Sequence, residues 1–490
     1  GTVGGVALAE GAALAPGNSI GTLTVAGNVV QAAGSVYEVE VDPATDRSDR
    51  IVAQGSATIA PGAVLTVIKE SNLPYSPGRR YTVLTAAGGI TGRYTVTGDT
   101  AISAFYALAA QYAPQSVTLE ATQLRAFSTA GVTRNQIAAA AGLDSLGAGH
   151  QVHDVVGMYG DDVAAAAAFD QLSGEIEASV HTALTEASRF SREAVLDEIR
   201  AAACGTGDAE RSGCAAGGRV VWGRIFGSSG DVGATAGAAA MDFSARGLVA
   251  GVDLGAGDNV RAGFYAGGNR SRFSVDARAS DGESENRELG IYAGGEWAGL
   301  GLRFGAGYTW HDIDTTRVIA ISGFSGRANR AAKARTLQAF GEVGYRLGTQ
   351  DTSVEPFAGL AHVDIDSATS SESGSAAALD SFGTSTRSTL SLLGLRGSWR
   401  EPAPQSAIGL SASMAWRHVF GGLVPTASLA FDGGDRFTVE GAPLARDAVV
   451  VEAGIHTLIT PGLSWNLDYA GQLGRGLRDH GLRGTLSWRF

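Results

Sequence analysis

The amino-acid sequence predicts a mostly β fold in three parts: a β-solenoid, an α-helical linker and a transmembrane antiparallel β-barrel of about twelve strands. Three observations predict it. Short β-rich stretches with Gly corners fill residues 1–123, apolar residues then recur at helical spacing as far as residue 203, and residues 204–490 are dominated by apolar–polar alternation that runs to Phe490.

In the first part, Leu23-Thr24-Val25, Val36 to Val41 and Ala63 to Ile68 are separated by Gly and Asn turns. This is the pattern of stacked rungs, each of which buries its apolar side only against its neighbours. Tyr81 to Leu84, Gly88 to Gly92 and Tyr94 to Val96 would make the last rungs, and an aromatic or polar cap is expected because a bare stack leaves strand edges open. From Leu124 the period changes. Ala-rich runs follow Thr133 and Val163, and Ile176, Val180, Leu184, Phe190, Ala194 and Ile199 lie at largely helical spacing along one long helix expected from Glu175 to Ala203. Its other face carries Glu175, Glu177, Glu186, Arg189, Arg192, Glu193, Asp197, Glu198 and Arg200. Composition leaves two readings open, a solvated amphipathic helix and a helix threaded through a polar pore.

The last part reads as strands. Leu482, Gly484, Leu486, Trp488 and Phe490 alternate with Arg483, Thr485, Ser487 and Arg489, and the same period two marks Leu300 to His311, Ile408 to Arg417 and Leu463 to Ala470. Bulky apolars on one side and arginines on the other are how a lipid-facing strand reads. Further strands fall near Arg219 to Phe226, Gly247 to Gly255, Asn259 to Gly268, Arg287 to Trp297, Ala334 to Leu347, Ser353 to Ile365, Thr386 to Trp399 and Val449 to Thr460. The count of about twelve is even, as single-chain bacterial barrels require. Connections alternate too: Gly255 to Asp258, Glu296 to Gly299, Gly348 to Thr352 and Pro461-Gly462 are short, whereas Asn269 to Asn286, Ile313 to Lys333, Asp366 to Ser385 and Phe420 to Ala448 are expected as long extracellular loops. A soluble β-sandwich also alternates, but its outward face is polar and its turns do not sort by length. Trp222, Trp297, Trp310, Trp399, Trp416, Trp465 and Trp488 fall near strand ends, where interfacial girdles form.

Composition narrows the chemistry. The 490 residues include Gly 70 against Pro 12, and the formal net charge of -12 leaves no basic stripe for nucleic acid. There is no apolar run of about 18 residues, so a crossing of the membrane requires a closed barrel. The chain opens on Gly1 without a charged-then-apolar leader, and we expect a longer precursor. Cys204 and Cys214 are close enough in sequence to form a disulfide, whereas a metal site would need ligands that are missing nearby, such as a His. No phosphate-cradling Gly-Lys-Ser/Thr loop is present and no Ser sits in a GlyXSerXGly elbow with a matching His, so no catalytic residue, cofactor site or metal site is assigned.

At this point the sequence resembles a known family, the classical monomeric autotransporters of type V secretion, over essentially its whole length. Leu14 to Val25 resembles the repeat near the end of autotransporter passengers, and Tyr81 to Ala86 with Gly88 to Val96 is similar to the autochaperone region that follows. Phe169 to Ile176 resembles the helical linker entering the pore, with Glu177 where many relatives have His, and Leu486-Ser487-Trp488-Arg489-Phe490 looks like the terminal signal read by the barrel assembly machinery. The resemblance implies residues 1–123 as passenger end with autochaperone, 124–203 as linker ending in a pore helix, and 204–490 as translocator. It implies that the barrel inserts in the outer membrane of a Gram-negative bacterium, exports its own passenger to the cell surface and is then plugged by the helix. It further implies outer-membrane lipid, the assembly machinery and periplasmic chaperones as partners, with a monomeric chain.

Named roles follow. The assembly signal is Leu486, Trp488 and Phe490, and the autochaperone residues are Tyr81, Val83, Leu84, Gly92 and Tyr94. The alternation turns Arg261, Glu288, Glu296, Arg303, Glu342, Arg346, Arg396, Arg417, Glu452, Asp468, Arg483 and Arg489 toward the lumen, where paired charges would hold a plug without a large apolar interface. The segment from Val163 to Arg200 contains no Asn, which argues against an Asn-based cut within it. Any enzymatic or adhesive activity is expected upstream, and a plain diffusion porin is the rival reading.

Overall fold

A computed structural model describes residues 1–75, 78–201, 219–255, 260–349, 351–401, 408–460 and 462–490. Cys204 and Cys214 lie outside the described residues. The chain divides into two compact units, residues 1–131 with 147–167, and residues 132–146 with 168–490.

The first unit is a three-sided parallel solenoid of four rungs. One face stacks Thr2–Val3, Thr22–Val25, Arg50–Ala53 and Arg80–Ala86; the second stacks Val6–Leu8, Val29–Gln31, Ala57–Ile59 and Ile90–Thr91; the third stacks Ala13–Leu14, Val36–Val41, Val64–Lys69 and Thr95–Gly98. Alternate residues of each strand point inward, which is why Tyr37, Val39, Ile51, Leu65, Tyr81 and Val83 are fully buried. The final rung is closed by an antiparallel hairpin, Tyr106–Ala113 with Ser116–Gln123, whose second strand pairs with Arg80–Ala86. The hairpin thus covers the open strand edge expected of a bare stack. Its Tyr112 hydroxyl accepts from the Tyr94 amide at 2.6 Å. Burial pushes the Tyr81 phenol up to about 12, so it remains a neutral donor to the Asp42 carbonyl, 3.1 Å away.

Gly92 shows how tightly the rungs stack. Its φ is +89°, and a Cβ there would lie 1.8 Å from the Ile59 carbonyl oxygen of the rung before. Gly92→Val therefore meets both backbone strain and a clash, and should destabilise the last rung by about 3 kcal/mol. Limited proteolysis of residues 1–131 across a urea series should show protection lost at lower urea.

The second unit is a closed barrel of twelve antiparallel strands: β1 (Val220–Val232), β2 (Met241–Gly255), β3 (Val260–Val275), β4 (Ser280–Trp297), β5 (Leu300–Ile321), β6 (Phe324–Tyr345), β7 (Thr352–Ser371), β8 (Leu379–Arg400), β9 (Ile408–Phe420), β10 (Asp447–Thr460), β11 (Leu463–Gly474) and β12 (Leu477–Arg489). Each pairs with its sequence neighbours, and β12 pairs with β1 from Val220↔Arg489 to Val232↔Leu477. Closure leaves no strand edge, the condition for crossing lipid with strands. Among the described residues no helix is long and apolar enough to do so. On β5 the outward residues run Leu300, Leu302, Phe304, Ala306, Tyr308, Trp310. That is about 34 Å along the strand and about 25 Å along the membrane normal at a usual tilt, the height of an outer-membrane apolar band.

Two expectations are corrected here. Most of the residues expected as long loops are strand: β5 and β6 continue past Trp310 to a turn at Ser322-Gly323, and β7 and β8 continue to Ser371 and Leu379. These extensions have mostly polar or small residues on their outward side, so the apolar alternation stops at the membrane while the ladder does not. Cross-strand pairs such as Arg387–Asp364 (3.0 Å) and Arg287–Asp312 (3.5 Å) line them. Among the described residues the long connection of the barrel is that from β9 to β10, and it contains a second hairpin, Thr426–Phe431 with Phe437–Glu440. Trp222 is not in an outer girdle: it is 1% exposed and donates to the Tyr292 hydroxyl at 2.8 Å inside the barrel, whereas the other six Trp side chains are 37–56% exposed.

Candidate functional site

The lumen is filled by a helix. It runs as Ile176–Ala187 and Arg189–Ala201 with a turn at Ser188, so the expected single helix is two nearly continuous halves as far as the described residues go. It enters at the mouth where the strand extensions project, with Glu175 bound to Arg278 of the β3–β4 turn at 3.1 Å, and ends near the short turns, where Arg200 meets Glu342 at 3.0 Å. Every residue from Ile176 to Glu186 is buried. Of the two readings left open by composition, the threaded helix is the one observed.

Charges on the helix meet opposite charges on the wall at successive depths. Glu177 pairs with Arg330, Glu186 takes both oxygens to Arg417 at 2.8 and 3.0 Å, Arg189 pairs with Asp479, Glu193 with Arg483, and Asp197 with Arg224 at 2.6 Å. Near the short-turn end, Glu342 collects Arg200, Arg303 (2.9 Å) and Arg396 (2.6 Å), and Arg303 also reaches Glu355 at 2.8 Å. Glu288 accepts from Ser191 (2.9 Å), Tyr265 (2.8 Å) and Gln338 (2.9 Å). Glu452 binds Arg483 at 3.0 Å, Glu296 binds Arg346 at 3.2 Å, and Arg261 stands 3.7 Å from Asp253. Asp468 is half-buried on the inner wall of β11, its carboxylate lying against Gly454.

An apolar seam accompanies the ion pairs, where the charges are expected to hold the plug without a large apolar interface. Ile176, Val180, Leu184, Phe190, Val195 and Ile199 share one buried cluster with Trp222, Phe226, Phe243, Tyr265 and Phe340 of the wall, and the Phe190 ring stacks on Phe226 with centroids 4.3 Å apart. The β9–β10 connection also folds over the helix. Ser179 accepts from the Ala442 amide at 2.9 Å, and a Cβ on Gly441 would lie 2.5 Å from the helix backbone at Ala178 and Ser179, so only glycine permits this approach. At the same mouth the helix Arg134–Leu146 is tied to Glu440 by a two-way amide pairing through Asn135, both bonds 2.8 Å. Beside the plug remains a cavity of about 70 Å³ lined by Arg189, Arg192, Glu193, Arg396 and Glu452, room for about five waters.

Several members of this network escape a reading by alternation. Placing Trp222 on the outer girdle also turns Arg224 outward, because the two share a face; in the structure both point in. Arg317, Arg330 and Glu372 fall in stretches read as loops, yet Arg317 and Glu372 form a buried pair at 2.6 Å. Among the described residues no group of three His, Cys, Asp or Glu is placed to hold a metal ion. Leu486, Trp488 and Phe490 all face outward at the end of β12, 50–60% exposed. Tyr81, Val83, Leu84, Gly92 and Tyr94 lie in the last solenoid rung or the turn within it.

Removing one partner of a buried pair leaves a desolvated charge. Arg417→Met should weaken seating of the helix by about 3 kcal/mol, and Glu186→Leu with Arg417→Met should restore most of it. In planar bilayers the single variant should open transiently about a hundredfold more often than the parent, and the double variant should not.

An autotransporter beta-domain family model matches residues 221–470. Two extracellular serine proteases of Serratia marcescens are each 29% identical to the chain, over 100% and 97% of it. The chain spans about half the length of these relatives, 51% and 49%. Among solved structures, the translocator domain of NalP from Neisseria meningitidis is 17% identical with TM-score 0.49, over 64% of this chain and 99% of that one. The beta domain of the Bordetella autotransporter BrkA is 17% identical with TM-score 0.41, over 56% and 100%.

Proposed function

The chain belongs to the autotransporter family, and from that premise we propose that its barrel exports a passenger through the lumen and is afterwards closed by the helix that remains there. The family places the barrel in the outer membrane as a translocator, and such a beta-domain is itself not an enzyme. The observation that carries the proposal is the charge-matched helix in the lumen, entering at the mouth from which the hairpins project. A diffusion porin needs an open path, and the helix with its buried ion pairs and apolar seam stands across it.

Within this reading, residues 1–123 are the passenger end with its autochaperone rung, 124–203 the linker and pore helix, and 204–490 the translocator. Leu486, Trp488 and Phe490 present the signal to the assembly machinery, and periplasmic chaperones keep the strands apart until insertion. Activity such as the proteolysis named for the Serratia relatives belongs upstream, with this chain as exporter and anchor. The test is an epitope placed ahead of residue 1, behind a secretion leader, in a Gram-negative host. External protease should remove the epitope from intact cells; an epitope reached only after the outer membrane is opened would refute export.

A further inference from the structure

The outer wall carries a patch that export does not use. On most strands the apolar band ends at the projecting side in a charged or titratable outward residue, and on four strands, β2, β3, β4 and β6, that residue is an arginine: Arg246, Arg270, Arg287 and Arg335; on β8 the row continues at Arg387, beyond Ser391 and Thr389. At the short-turn boundary the corresponding outward residues are apolar or aromatic, among them Trp297, Tyr345, Trp399 and Phe490. Outward carboxylates offset three of the arginines, Asp312 beside Arg287, Asp366 beside Arg335 and Asp364 beside Arg387, which leaves the uncompensated positive charge around Arg246.

Part of the row borders a groove where β12, β1, β2 and β3 adjoin. Gly227 of β1 has no side chain on the outward face, and the groove opens over it, lined by Arg246, Arg270, Arg272, Ser244 and His480 above and Leu482 below. Arg246 lies directly across the ladder from Arg270, and Ser244 from Arg272. Two like charges set side by side repel unless an anion joins them. Arg270 and Arg272 face Glu283 and Glu285 on the β4 side, at exposed geometry where such pairs contribute little. Among the described residues Arg246 has no carboxylate partner. His480 is held by the Tyr469 hydroxyl at 2.6 Å and turns its ring to the same groove.

We propose that this groove binds the phosphate of an anionic lipid in the outer leaflet, with the arginines and the Ser244 hydroxyl on the phosphate and the acyl chains over Leu482, Leu248 and Ile225. Guanidinium forks match phosphate oxygens two at a time, and the site stands at the level where the apolar band ends, which is where a lipid headgroup sits. A free anion needs no such apolar floor, and the exposed Leu248 and Leu482 directly beneath the arginines favour the lipid. The inference rests on the barrel wall facing lipid and not on export, so its failure leaves the proposed function standing.

The test is native mass spectrometry of the full chain in detergent, titrated with phosphatidic acid, with diacylglycerol of the same acyl chains, and with inorganic phosphate. One phosphatidic acid should be retained, and diacylglycerol and inorganic phosphate should be retained at least about tenfold less. Arg246→Gln with Arg270→Gln and Arg272→Gln should reduce retention at least about tenfold, whereas Arg335→Gln with Arg387→Gln, elsewhere on the row, should leave it unchanged. Arg246→Gln alone, at an exposed side chain without a protein partner, should fold normally and lose severalfold. Retention unchanged in the triple variant or in Arg246→Gln, equal loss in the Arg335/Arg387 variant, or equal retention of diacylglycerol or of inorganic phosphate would overturn the proposal.

Discussion

Deleting residues 175–201 should turn a closed barrel into an open channel. Twelve strands about 4.8 Å apart, tilted about 40°, give a backbone radius of about 12 Å, and once a layer of inner side chains is subtracted the free bore is about that of one helix with its side chains. The helix therefore fills the lumen and is not a narrow obstruction within it. Its removal also strips partners from Arg224, Arg330, Arg417 and Asp479. In a dry core that would cost several kcal/mol for each. Here water takes the place of the helix and hydrates the exposed charges, while the ladder from β1 through β12 is untouched, so the barrel should still insert. Conductance in planar bilayers should rise at least about tenfold over the parent, and the folded form should still migrate faster than the unfolded one on an unheated gel. Unchanged conductance in a demonstrably folded variant would mean that something other than the helix closes the pore.

The same reasoning explains what could be read from the residues before the fold was known. Period two exposes the strands wherever one face meets lipid, which is why β9, β11 and β12 are legible almost residue by residue. Beyond the membrane the outward face turns mostly polar and the inward face mixes Ile313, Ile319, Ala328 and Ile365 with Thr315, Arg317 and Arg330, so the period weakens and β5 to β8 look like loops although the hydrogen-bond ladder continues. The lumen partners are legible only through strand parity. One bulky residue on an unexpected face, Trp222, is enough to hide Arg224. The apolar seam on the plug is visible as helical spacing, but the charges around it point to pairing without a large apolar interface. Phe190 against Phe226 shows that a lumen can be polar in composition and still offer a continuous apolar strip, because aromatic residues of β1 to β6 gather on one side.

Deletion of Tyr81 to Val96 should separate export from folding of the passenger. These residues supply most of one rung and the strand to which the Tyr106–Gln123 hairpin is joined, so their loss uncovers two edges at once: that of the Arg50–Ala53 rung and that of the hairpin. A solenoid gains stability rung by rung from its neighbours, and an end with no cap frays inward. Val83 and Leu84 are fully buried and the Tyr37 hydroxyl donates to the Val83 carbonyl at 2.7 Å, so the defect reaches a rung two before the last. The barrel shares none of these contacts in its ladder and should reach the outer membrane in normal amount. On intact cells the passenger should then be present at the surface but digested by external protease at concentrations that leave the parent whole, with a loss of about 5 kcal/mol or more expected from removing several fully buried side chains. A passenger as resistant as the parent would show that folding begins elsewhere in the stack, and a fall in surface passenger together with a normal barrel would show that the last rung is needed for transit itself, a stronger role than the one argued here.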